Sequence, residues 1–196
     1  MDNFKMYFAI GFNHISDPKG YDHLLFVATL CAFYSYTDWK KILILVTAFT
    51  AGHSITLALS ALNIFIFSSK LVEILIPITI LLTAIYNIWF YPQRNKQVKL
   101  PLNYIMALFF GLVHGLGFST FFKAMMGGAK GILLPLFSFN LGIEIGQILI
   151  VLSLMLILYL LTIFFKIIHR DWTLFISGAG FGLALVMIFE RLYIFK

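Results

Sequence analysis

Charge and thiols are what this sequence has least of. Only 11% of its 196 residues are Asp, Glu, Lys or Arg, against ~25% in an ordinary soluble domain. A chain so poor in charge and 61% hydrophobic is excluded from the water-soluble class, and its mean hydropathy is +0.97. One cysteine, Cys31, excludes an internal disulfide and any thiolate-rich metal site. Set in an apolar run, Cys31 reads as a small packing residue. Blocks of like charge are lacking too. The net charge of +6 is scattered between apolar runs, so no nucleic-acid partner is expected. The opening "MDNFKMYFAIGFNH" has an acid near its start and no small-residue cleavage pattern, so no signal peptide is expected. No internal repeat or low-complexity tail is evident, and a single transmembrane domain is expected over residues 1–196.

What is present is a series of long apolar runs. The expected fold class is all-α, a polytopic membrane protein with six transmembrane helices at about 21–36, 39–62, 70–91, 101–122, 133–165 and 172–195. About 20 residues cover the ~30 Å of hydrocarbon, and only helices or closed barrels satisfy their backbone there. The apolar stretch 4–12 is too short to span and is expected to form an N-terminal interfacial or re-entrant segment. Trp39, Trp89 and Trp172 fall near span ends, where interface aromatics gather. Six crossings put both termini on one side. The densest basic cluster, "RNKQVK" at 94–99, makes that side extracytoplasmic by the positive-inside rule.

Against this background the ionisable residues within spans stand out, since each is expensive in lipid and defaults to a functional hypothesis. They are His14, Asp22, His23, His53, Glu73, His114 and Glu144. Alternating direction of crossing places all of them in the half of the bilayer nearer the N-terminus. His53, for example, lies about nine residues, or ~13 Å of helix, below the near end of its span. Imidazole and carboxylate without thiolate suit Zn, Ni, Co or Fe(II). The metal set expected is His14, Asp22, His23, His53, His114 and Glu144. Asn140, Gln147, Thr56 and Glu73 are expected to support it or line its pathway. Asn140, Glu144 and Gln147 stand at i, i+4 and i+7, one polar stripe on one helix face. Gly142 and Gly146 form a GxxxG on another, a packing seam. Glu73 also admits a plainer reading, as an interface residue paired with Lys70. His169, in "KIIHRD", reads as a solvated loop residue, and Glu190 with Arg191 as an interface pair.

The stretches "HISDPKGYDHLLF", "FTAGHSITLAL", "FGLVHGLGF" and "FNLGIEIGQ" together resemble the HupE/UreJ family of small membrane proteins, in the family's order and over about residues 12–147. The resemblance implies nickel or cobalt uptake, with His14, Asp22, His23 and His114 as metal-handling residues. The turn between His14 and Asp22 is two residues longer than the family pattern, which leaves His14's participation open.

Three functions follow from these residues. One is a divalent-metal permease for Ni, Co or Zn. The second is an intramembrane metal-dependent hydrolase or lipid-modifying enzyme, with an open coordination position and Glu144 as general base. The third is a structural or sensory metal protein. The far half of the bilayer offers little beyond Thr29, Thr83, Asn87 and Ser153, which counts toward the enzyme, since a permease needs a pathway on both sides. The partners expected are the lipid bilayer and a metal ion. A homo-oligomer stays open, and no soluble partner is implied.

Overall fold

The computed structural model describes residues 3–64, 67–91, 100–126 and 131–194. These residues form seven α-helices and no strand: α1 (Asn3–Ser16), α2 (Tyr21–Ala32), α3 (Trp39–Ala61), α4 (Ser69–Phe90), α5 (Leu100–Met125), α6 (Leu133–Phe165) and α7 (His169–Ile194), with a short 3-10 turn at Pro18–Gly20. Helices α3 to α7 are long and apolar enough to cross a membrane. The protein is therefore integral to the membrane and helical. The basic cluster at 94–99, on which the orientation was argued, lies outside the described residues.

The span expected at 21–36 is shorter than its hydrophobic run. α2 has 12 residues, about 18 Å at 1.5 Å per residue, which cannot by itself cross ~30 Å. It stops because Ser35 and Asp38 form a capping box, each side chain meeting the other's backbone N–H, and the next helix starts from there. The stretch expected to be interfacial or re-entrant is α1, 14 residues packed against α6 through Tyr7, Gly11 and Ile15.

Two glycine seams set the architecture. In the first, α1 and α6 run side by side in the same direction. A Cβ on Gly11 would overlap the Phe139 carbonyl, and one on Gly142 would overlap that of Phe8. The GxxxG read from sequence is this seam, Gly146 lying on Ile15. In the second, α3 and α5 run in parallel. Gly52 lies on the Leu108 carbonyl, Gly111 on that of Phe49, and Gly115 on the backbone of His53. Both seams use the same reciprocal register, each glycine facing the residue three before its partner glycine. No repeat was visible in the sequence because the surrounding residues differ. Small residues permit this approach where lipid offers no hydrophobic drive between helices.

The remaining helices close around these pairs. α4 and α7 are antiparallel, joined by Glu73–Arg191 at one end and Tyr91–His169 at the other. Two apolar clusters form the interior. One holds Phe26, Leu30, Leu45, Phe49, Ile80 and Phe110. The other holds Tyr7, Ile15, Leu57, Phe122, Phe139 and Ile143. On α3, Phe49 belongs to the first and Leu57 to the second, so His53 lies between them, one turn from each.

Candidate metal centre

Three imidazoles converge from three helices. His14 ends α1, His23 begins α2 and His53 sits mid-way along α3. Their nearest ring nitrogens all lie within 4.8 Å of one another. His114 of α5 joins them, its ring centroid 5.2 Å from that of His23. The longer turn between His14 and Asp22 does not remove His14 from the group, because the Pro18–Gly20 turn takes up the added residues. The α3–α5 seam brings His53 and His114 together, since Gly52 and Gly115 let the two backbones touch beside them.

The state of these rings follows from their partners. Buried polar atoms without a hydrogen bond are rare in folded proteins, yet His14 Nε2, His23 Nε2, both nitrogens of His53 and His114 Nδ1 have none. His23 Nδ1 lies 2.9 Å from Asp22 Oδ1, and the same oxygen accepts the His23 backbone N–H at 2.8 Å. An ionised carboxylate only accepts, so Nδ1 carries a proton, and in the neutral ring the lone pair is on Nε2. His114 Nε2 lies 2.9 Å from Thr79 Oγ1. Thr79 gives its one hydroxyl proton to the Ile76 carbonyl at 2.7 Å. The Thr79 oxygen must therefore accept from Nε2–H, which leaves the His114 Nδ1 lone pair free. Orientation of an imidazole by a partner on its other nitrogen is how proteins prepare metal ligands. His53 and His114 are fully buried, walled by Phe139 at 6.2 Å and Phe26 at 4.8 Å respectively, centroid to centroid.

A cleft of about 230 Å³ reaches this group, lined by His14, Asp17, Asp22, His23, Glu73, His114 and Arg191 among others. Glu73 stands at its outer part, 3.0 Å from Arg191 Nη1. The two residues read as ordinary interface groups are thus one inter-helix pair.

Of the remaining expected residues, Thr56 lies on the α3–α5 seam beside His53 and Gly115, and Glu144, whose Oε2 is buried without a protein partner, lies on α6 facing α3. Glu144 is not among the residues lining the cleft. Its Oε1 accepts the Thr47 hydroxyl at 2.6 Å, and Gln147 Oε1 accepts that of Thr50 at 2.8 Å, so two residues of the polar stripe face α3. Asn140 donates to the Leu136 carbonyl at 2.7 Å, and Thr56 turns its hydroxyl to the carbonyls of Gly52 and His53. His169, expected in a solvated loop, opens α7 and meets the Tyr34 carbonyl at 2.9 Å through Nε2. Sequence reasoning missed Thr79, Asp17 and Arg191. The available signal for Thr79 was its place with Thr83 and Asn87 at i, i+4 and i+8 on α4.

No curated protein and no solved structure matches the sequence. The family described as "HupE / UreJ protein" matches residues 1–194, so its pattern runs through all four histidine-bearing helices and beyond them into α7. This chain is a membrane protein of the HupE/UreJ family.

Proposed function

We propose that the protein is a permease for a divalent transition-metal cation of the nickel and cobalt type, with His14, His23, His53 and His114 holding the ion in passage. The observation that carries this reading is the set of buried imidazole nitrogens that face one another with no protein partner. Such atoms are costly unless something else satisfies them, and four neutral imidazoles suit Ni, Co or Zn. The family's association with nickel and cobalt supports the first two. Asp17, Asp22 and Glu73 line the cleft and supply the negative potential that gathers cations in an aqueous vestibule. Asp22 holds the His23 ring and is a positioning residue in this reading. Glu144, hydrogen-bonded to Thr47, is a support of the α3–α6 contact.

The permease reading also accounts for the two short helices. α1 lies along the first half of α6, beside Phe139 to Gly146, while Tyr36, just past α2, meets Tyr159 near the other end. In series, α1 and α2 make one broken crossing, with the break at Asp17–Gly20 in the cleft. Irregular backbone at membrane depth is tolerated where it lines a cavity, and broken helices flank the binding sites of many transporters. Counted so, six crossings leave both termini on the side where the cleft opens.

The hydrolase reading needs a base beside the metal. Glu144, the residue first assigned to that role, does not line the cleft that reaches the histidines. The deciding experiment is Ni²⁺ and Co²⁺ flux into proteoliposomes, with His53→Ala and His114→Ala as controls. Flux that both variants abolish is expected. Tight binding of metal without flux would sink the permease.

A further inference from the structure

We infer that the α4 face bearing Thr79, Thr83 and Asn87 is the far half of the cation's path, a file of neutral oxygen acceptors that takes the ion on from His114. The inference rests on the permease reading and supplies what the sequence lacked, a route through the half of the bilayer without ionisable groups.

The three residues stand at i, i+4 and i+8, hence on one face, and are 3%, 3% and 2% exposed. The file starts at the metal centre, where Thr79 Oγ1 meets His114 Nε2. One turn on, Thr83 gives its hydroxyl proton to the Thr79 carbonyl at 2.8 Å. Thr29 of α2, whose hydroxyl lies against Gly180 of α7, gives its own proton to the Leu25 carbonyl at 2.8 Å. A hydroxyl has one proton and two lone pairs, so each of these threonines turns its proton back onto its own helix and leaves acceptor capacity toward the space between helices. Acceptors without free donors suit a cation.

Beyond Thr83 a small cavity of about 20 Å³ is walled mostly by apolar and aromatic side chains, Leu30, Phe33 and Phe110 among them, with Thr83, Asn87, Asn103 and Tyr34 as its polar members. One water needs ~10–15 Å³, so the cavity has room for one water or one ion. Asn103 commits its amide N–H to the Tyr34 hydroxyl at 2.7 Å, and its Oδ1 is buried with no partner. Asn87 binds the Thr29 carbonyl at 2.6 Å and Ser177 Oγ at 3.1 Å. Those two bonds tie α2, α4 and α7 and would be sufficient as structural glue. Glue does not explain the orphaned Asn103 oxygen or the cavity beside it. Neutral oxygens hold Ni²⁺ or Co²⁺ less tightly than imidazole, and conduction requires that the ion be able to leave. The order along the path is carboxylate, imidazole, neutral oxygen. Ser153 is outside the file, since it is exposed on α6.

The test is cysteine accessibility in the full chain, in vesicles, with Cys31→Ala as background. Thr83→Cys is expected to react with Ag⁺, a thiol-reactive cation small enough for the cavity, when the ion is supplied on the side away from the cleft, read as loss of later thiol labelling of the unfolded chain. Lys40→Cys reports that the reagent reaches that surface. An unreactive Thr83→Cys beside a reactive Lys40→Cys overturns the inference, whatever the flux assay gives. A second measurement compares Thr83→Val and Asn87→Leu for Ni²⁺ flux and for Ni²⁺ affinity in detergent. Flux at least tenfold lower at unchanged affinity is expected, with Thr83→Ser restoring it. Undiminished flux in both variants also overturns the inference while leaving the permease standing. Absence of flux from the unmodified protein is instead the failure of the permease.

Discussion

At the scale of single residues, the histidines differ in how they are held, and the consequences are measurable. Asp22 fixes the His23 ring through Nδ1. Loss of such a partner typically costs 10–100-fold in metal affinity. Asp22→Asn should therefore weaken Ni²⁺ binding by about that factor, and His23→Ala by more, in calorimetric titration of the purified protein. Equal affinities in the variants and the parent would remove His23 from the site. Acidity gives a second check. A metal needs the imidazole lone pair that a proton would occupy, so affinity should rise with pH through the range where histidines lose their protons and fall as pH is lowered. A pH-independent affinity would point away from imidazole ligands. In the permease reading Glu73 belongs to capture rather than to holding. Glu73→Gln removes a carboxylate from the cleft and leaves Arg191 uncompensated there. Initial flux should slow, most at low ionic strength, while equilibrium affinity stays unchanged.

At the scale of elements, the histidines meet only because helix backbones touch. A Cβ at Gly52 would overlap the Leu108 carbonyl, and at Gly142 the Phe8 carbonyl, neither of which can swing aside as a side chain would. Forcing extra volume into a packed interior costs about 1–3 kcal/mol. Gly52→Ala and Gly142→Ala should each lower the thermal midpoint in detergent. Gly178→Ala, where nothing lies within 4 Å, should leave it unchanged. Gly52→Ala should also weaken metal binding, since it parts α3 from α5 next to His53 and His114. If it lowers stability but spares affinity, the α3–α5 seam does not set the site geometry. The seams were half legible in the sequence. The glycines beside His53, beside His114 and in the GxxxG were visible as small residues, but not which helix each faced. The partner of the GxxxG turned out to be α1, the segment the hydropathy pattern marked only as too short to span.

At the scale of the whole molecule, polarity is graded along one axis. The cleft carries Asp17, Asp22 and Glu73, the centre carries histidines, and the opposite half carries buried Thr, Asn and Tyr. Lipid-facing surface surrounds this axis, and α6 exposes Leu149, Leu152, Leu156, Leu160 and Phe164 in succession. In vesicles loaded with a metal-sensing dye, the gradient predicts saturable Ni²⁺ or Co²⁺ flux that a competing divalent transition metal slows and Mg²⁺ does not. Imidazole nitrogen discriminates against a hard cation that prefers oxygen and holds its water tightly. Equal inhibition by Mg²⁺ would argue for a carboxylate-controlled path.

The sequence by itself determined that this is a helical membrane protein, and it led to the expectation that His14, His23, His53 and His114 fall in one half of the bilayer. Both follow from local terms, the length of apolar runs and the parity of crossings. It also carried the family, because the four motifs are contiguous stretches. Only the tertiary structure decided that His14, His23, His53 and His114 share one space, and that one oxygen of Glu144 takes the Thr47 hydroxyl. It alone showed that the first expected span holds only a 12-residue helix. Those outcomes depend on which helix faces which, and that choice is made by glycine contacts between residues far apart in the chain, such as Phe8 and Gly142, 134 positions apart. No window of sequence contains both partners, so no periodicity within one helix reports them.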